Sequence, residues 1–110
     1  MAKANFFQRG ESIDYVNAGS AKIDAGTIVL LGVRLGVAGC DIAPGETGSL
    51  HVEGVFEIPK ASGAITAGAL VYWDATNGVV TTTSTNNTLC GYAVAAAASG
   101  DTAALIKINA

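Results

Sequence analysis

Alternation of apolar and polar residues, interrupted every few positions by glycine or another turn former, most constrains what this chain can fold into. Over residues 49–58, Leu50 and Phe56 point to one side while polar residues such as Glu53 point to the other. A period of two is typical of a β-strand with one buried face. Because proline cannot donate to a central ladder, Pro59 should end this strand. The pattern predicts an all-β protein.

Further strands follow from the same reasoning. Residues 28–35 are nearly all apolar, as in a strand that is buried on both sides. Residues 69–74 lead through Asn77-Gly78 into residues 79–83, and Asn-Gly between β-rich runs favours the two positive φ values of a type I′ hairpin. The last two strands are expected over residues 89–95 and 104–109.

The two halves of the chain repeat one another in the same order. The matched segments are residues 23–29 with 65–71, 35–38 with 90–93, 45–47 with 100–102 and, after one inserted residue, 50–53 with 106–109. Two related β units are a natural way to close a small barrel and remove free edges. We therefore predict a small closed or nearly closed β-barrel, in which residues 1–16 form an extended N-terminal arm or first strand. Residues 17–110 form a single barrel domain, since 110 residues leave no room for a second core.

Charge and hydropathy exclude several classes of function. Only 14% of the residues are charged, against roughly 25% in a typical soluble domain. The net charge of −3 and the single, scattered basic residues argue against direct nucleic-acid binding. No apolar run has the length of a signal peptide or a membrane span, so we expect the protein to be kept or assembled in a cytoplasm. A small chain with so little charge usually buries further surface against a partner or copies of itself.

The two cysteines, Cys40 and Cys90, lack the spacing of a metal-ligand motif. In a protein without a secretion signal they are expected to be reduced thiols that pack as small hydrophobic side chains. The repeat strengthens this expectation for Cys90, because it occupies the position of Leu35 in the first half. We expect neither a metal nor a cofactor.

No catalytic constellation is evident, and we predict that the protein is not an enzyme. His51 is the only histidine, and its neighbours on the same strand face are Ser49 and Glu53. Residues two apart on a strand are about 7 Å apart, too far for a triad contact without a bend. The glycine-rich residues 32–39 contain neither phosphate-binding motif.

The aromatic residues suggest two sites of contact. Trp73, beside Tyr72 in a predicted strand, is explained by core or interface packing, although a platform for stacking a sugar is the alternative. Phe6 and Phe7 are adjacent in a terminus that would ordinarily fray. They indicate either an extended arm whose aromatic rings dock on a partner, or a first strand with one ring buried and the other exposed.

The order of motifs along nearly the whole chain resembles a family of small tailed-phage and prophage proteins known as capsid cement or decoration proteins. The most specific segments are Gly54-Val55-Phe56-Glu57-Ile58-Pro59-Lys60 and Val71-Tyr72-Trp73-Asp74. The other shared features are Asn5-Phe6 with Gly10, Ile13-Asp14-Tyr15, Ala67-Gly68, Gly91-Tyr92-Ala93 and Gly100-Asp101-Thr102. Members have also been labelled RecA-like recombinases, which this chain contradicts because it has no Walker A loop and is too short for an ATPase core.

The resemblance implies a structural virion protein that binds the major capsid protein on the outer surface of an expanded icosahedral phage head. It further implies a homotrimer, assembled in the bacterial cytoplasm, that stabilises the shell and carries no catalytic residue. Within that picture we expect Phe6, Phe7 and Arg9 to contact the capsid. The alternative function is a small β-sheet module that binds a host-surface glycan through Tyr72 and Trp73.

Overall fold

The computed structural model describes residues 2–109, which contain nine β-strands and no helix. The strands are β1 Ser12–Val16, β2 Ile28–Leu31, β3 Arg34–Ala38, β4 Thr47–His51, β5 Gly54–Pro59, β6 Leu70–Asp74, β7 Val79–Thr81, β8 Thr88–Ala93 and β9 Ala103–Ile108. All strand pairs are antiparallel, in a four-stranded sheet of order β1-β4-β3-β2 and a five-stranded sheet of order β5-β9-β8-β6-β7. The predicted all-β class is confirmed.

The prediction of one strand over residues 49–58 is wrong. The segment is divided at Val52 and Glu53, so that β4 belongs to the first sheet and β5 to the second. Gly54 begins β5 with φ of 129°, a backbone conformation that favours glycine. The chain therefore passes between the two sheets at this point.

Residues 28–35 also form two strands, and not the single strand buried on both sides that their apolar run predicts. β2 and β3 make a tight hairpin in which Leu31 pairs with Arg34 across Gly32 and Val33. Gly32 has φ of 61°, as the first central residue of a two-residue hairpin turn requires. At this hairpin tip Val33 is 77% exposed.

The hairpin around Asn77-Gly78 is confirmed, although its turn is not of type I′. Four residues, 75–78, connect β6 to β7, and only Gly78 among them has a positive φ, of 67°. The amide of Gly78 donates to the Asp74 carbonyl, and the Asp74 carboxylate accepts hydrogen bonds from the amides of Thr76 and Asn77. The Asp74 side chain thus orders a longer loop than the Asn-Gly signal predicts.

Matching backbone hydrogen bonds confirm the two related β units. The amide of Gly26 donates to Ala38 in the first unit, and that of Gly68 donates to Ala93 in the second, both at 2.7 Å. Isolated antiparallel bridges likewise join Ile23 to Ile42 and Ile65 to Ala97. Strands β1, β4, β3 and β2 correspond in order to β5, β9, β8 and β6.

The equivalence extends to two buried polar residues that the sequence comparison did not match. Asn17 follows β1 and Lys60 follows β5, and they are 3% and 6% exposed. The Asn17 side chain donates to the carbonyls of Ala21 and Ile42, and the Lys60 Nζ donates to the carbonyl of Asp101. Each side chain thus joins the residue after the first strand of its unit to an equivalent loop, β3–β4 for Asn17 and β8–β9 for Lys60.

The second unit contains most of the core and one strand that the first unit lacks. A parallel bridge joins Lys60 to Val80 of β7, and the amide of Ala61 donates to the Val80 carbonyl. The main cluster of buried residues is Leu35, Val37, Ile58, Ile65, Val71, Val80, Cys90, Ala93, Ala97, Ala104, Ile106 and Ile108. Thus β7 approaches the end of β5, whereas the first sheet has no strand equivalent to β7. The predicted closed barrel stays a prediction.

Asn109 connects the two sheets. Its Nδ2 donates to the carbonyls of Leu35 and Val52, at 2.6 and 2.8 Å, and its Oδ1 accepts from the amide of Leu35. Its own amide donates to the Cys90 carbonyl, and its φ of 57° is one that asparagine tolerates better than most residues. One side chain therefore joins β3, the segment between β4 and β5, and the end of β9.

We expect Asn109→Asp to reduce the free energy of unfolding by about 2–4 kcal/mol, because a carboxylate leaves the Leu35 and Val52 carbonyls without their donor. Urea denaturation measures this change. Asn86→Asp is the matched control, since Asn86 also has a positive φ but is exposed. Equal stability loss in the two variants would contradict the role of the Asn109 amide.

Candidate functional site

His51 contacts a serine that its strand neighbours do not predict. His51 Nδ1 is 2.8 Å from the Oγ of Ser12, its register partner on β1. The hydrogen bonds of the described chain give His51 no carboxylate partner, and Ser49 and Glu53 do not bond to it. A Ser–His pair without an acid to orient the imidazole lacks part of a triad. This pair holds β1 against β4.

The remaining polar groups form no compact reactive cluster. Among residues 2–109 no three His, Cys, Asp or Glu side chains lie close enough together to hold a metal ion. None of the secondary structure in that range is a helix long and apolar enough to cross a membrane. An open cleft of about 390 Å³ at the β6–β7 loop is lined by threonine, asparagine and Asp74. Hydrogen bonds from the side chain and amide of Asn77 lower the pKa of Asp74, so this carboxylate already has its partners.

The cysteines are both free and differ in environment. Cys90 is fully buried in the main core, as predicted, and desolvation raises its pKa to about 12. Cys40 is exposed, so the prediction that it packs as a small hydrophobic side chain is wrong. Cys40 lies in a solvent-exposed loop of the first unit, two residues before Ile42 of the Ile23–Ile42 bridge.

Tyr72 and Trp73 lie on opposite faces of β6. Trp73 is half-buried and packs against the main core, whereas Tyr72 pairs with Leu89 and Thr81 on the other face. Successive strand residues alternate between faces, so the two rings cannot form one flat surface. This geometry disfavours the glycan-binding alternative, which depends on a shared platform.

Phe6, Phe7 and Arg9 lie on one segment without assigned strand structure. The two rings are 85% and 91% exposed, so neither is buried against the chain's own sheets. Lys3 and Arg9 give residues 2–10 two positive charges, and this segment has no acidic residue. The three side chains are free to contact a partner, and that contact stays a prediction.

Besides the exposed rings of Phe6 and Phe7, the chain has a second apolar surface, which sequence reasoning missed. We define the outer face as the solvent-facing side of the five-stranded sheet. Five of its large apolar side chains are 39% to 54% exposed: Val55, Leu70, Leu89, Val94 and Leu105. Val55, which interrupts the polar side of β5, was the available signal, but one residue does not reveal that neighbouring strands add apolar residues beside it.

A family model described as phage cement protein matches residues 7–108 of this chain. The chain belongs to the phage cement protein family. Neither a curated protein nor a solved structure shows significant similarity to it. The family is structural, so this cement protein has a structural role in a phage capsid and is a component of the virion. The match includes Phe7 and Arg9 and begins after Phe6.

The Cys90 thiol gives the cement protein a predicted loss of stability above pH 9. Its ordinary pKa is 9.0 and its folded pKa about 12, so only the unfolded state ionises between these values. The contribution of the protonated Cys90 thiol to the free energy of unfolding is therefore complete below pH 9. It decreases as the pH rises, by up to about 1.4 kcal/mol per pH unit. Urea denaturation from pH 8 to 11 should show this decrease in Cys40→Ala and a weaker one in Cys90→Ala. Identical pH profiles for the two variants would contradict it.

Proposed function

We propose that this cement protein binds the outer surface of the expanded icosahedral head of a tailed double-stranded DNA phage and stabilises that shell. The observation that carries the proposal is the family match over residues 7–108, nearly the whole chain. An all-β chain whose histidine is engaged in a strand contact is consistent with a structural role.

The proposed mechanism is preferential binding to the assembled shell. A protein that binds the expanded shell but not dissociated capsid subunits stabilises the shell by mass action. A trimer at threefold positions would contact several capsid subunits at once, so weak single contacts would add through multivalency. The shell would then better resist the pressure of the packaged DNA.

The residues proposed to contact the major capsid protein are Phe6, Phe7 and Arg9. Both rings are almost fully exposed in a segment that pairs with no strand of its own chain, so capsid contact would bury apolar surface that is now in water. An extended segment can add a strand to the free edge of a sheet on the partner. The charges of Lys3 and Arg9 suit an acidic capsid surface.

The deciding experiment is a titration of the protein onto expanded heads of the cognate phage that lack it. Gel densitometry gives the number of bound copies, and heating followed by electron microscopy gives the temperature at which heads break. Saturation near one copy per major capsid subunit with a raised disruption temperature would support the proposal. Absence of binding would overturn it.

Loss of the two rings should weaken head binding. The double change Phe6→Ala and Phe7→Ala is expected to raise the Kd by at least about tenfold, since one buried phenylalanine contributes roughly 1.5–3 kcal/mol. Arg9→Ala should weaken binding less and reduce its dependence on salt. Val33→Ala is the matched control, because Val33 is similarly exposed but lies at the β2–β3 hairpin tip. Unchanged affinity in the double variant would show that Phe6 and Phe7 do not contact the capsid.

A further inference from the structure

The outer face of the five-stranded sheet forms a continuous apolar surface. One row of register partners crosses four strands: Val55 pairs with Lys107, Lys107 with Tyr92, and Tyr92 with Leu70. Val55 and Leu70, at its two ends, are 52% and 54% exposed. The methylene groups of Lys107 can continue the apolar surface between its neighbours.

A second row lies beside the first. Glu57 pairs with Leu105, and the amide of Val94 donates to the Leu105 carbonyl. Strand spacing and rise assign about 33 Å² of sheet face to each residue, so the two rows and the adjoining Leu89 cover roughly 260 Å². Contiguous apolar patches on the surface of a monomer are often interaction sites. The strands beneath this surface are already paired with one another within the chain.

Two opposite charges on this surface have no ionic partner among the residues that the structure describes. Within residues 2–109 the ion pairs join Lys22 to Asp24 and Asp41. Glu57 and Lys107 sit one row apart on neighbouring strands and form no such pair. Because the acid and the base lie on neighbouring strands, the acid of one copy can meet the base of the next around a threefold axis, which fits further copies of this chain better than a partner of a single charge.

We propose that copies of this chain associate through the outer face, with Glu57 of one copy pairing with Lys107 of the next. The inference rests on the proposed trimer and assigns its contact surface. It does not use residues 2–10, which precede β1 and remain available to the capsid. Burial of the apolar rows supplies the attraction, and the charge pair sets the relative position of the copies.

The test is sedimentation equilibrium of the full chain at concentrations up to about 1 mM. The wild-type protein should self-associate, and Leu105→Glu should raise the Kd by roughly a hundredfold or more, because it buries an unpaired charge in the contact. Val16→Glu is the matched control: Val16 is 54% exposed on β1, an edge strand of the first sheet. This control should associate like the wild type. Circular dichroism establishes that each variant is folded.

Charge reversal distinguishes a specific contact from nonspecific association. Glu57→Lys and Lys107→Glu should each weaken association by about tenfold or more, while the double variant should return to within about threefold of wild type. A wild-type protein that stays monomeric throughout, or a Leu105→Glu variant that associates normally, would overturn the proposal. Lack of rescue in the double variant would show that Glu57 and Lys107 do not pair between copies. Titration of the same proteins onto phage heads tests the capsid role separately. If the wild-type protein self-associates but does not bind heads, only the proposed capsid role is overturned.

Discussion

The attachment of β3 to the second unit is the contact on which the arrangement of the two sheets depends. The Leu35 side chain is fully buried in the main core, which otherwise belongs mostly to the five-stranded sheet. Its backbone amide and carbonyl are both bonded to the Asn109 side chain, which also holds the Val52 carbonyl. Burial and hydrogen bonding act at the same residue, so each reinforces the geometry that the other needs.

Repetition of one β unit produces two surfaces of different character. In the second unit β7 approaches the end of β5, and the inner side of the sheet is filled by the main core. Its outer face then carries apolar side chains that no element of the chain covers. The first unit lacks an equivalent of β7 and supports the N-terminal segment with Phe6 and Phe7. The proposals assign the N-terminal segment to the shell and the outer face to further copies of the chain.

A structural role is consistent with the way the polar groups are used. Asn17 and Lys60, the buried polar residues, stabilise equivalent loops, and His51 bonds across two strands to Ser12. No buried side-chain nitrogen or oxygen among residues 2–109 lacks a hydrogen-bond partner. Satisfied groups of this kind stabilise one conformation of the chain.

The sequence by itself determined the all-β class, the repeated unit, the hairpin around Asn77-Gly78 and the burial of Cys90, because period two, turn chemistry and internal similarity are local properties. It also carried the family resemblance that the match over residues 7–108 supports. Only the tertiary structure decided where residues 28–35 and 49–58 divide. The continuous apolar run over residues 28–35 conceals the Gly32-Val33 turn. Across Val52-Glu53 the even-numbered residues Leu50, Phe56 and Ile58 face inward in both strands, so the alternation of faces does not reveal that break. The Ser12–His51 pair, the Asn109 junction and the outer face likewise join residues distant in sequence, and their proximity depends on strand order and register, which no local pattern encodes.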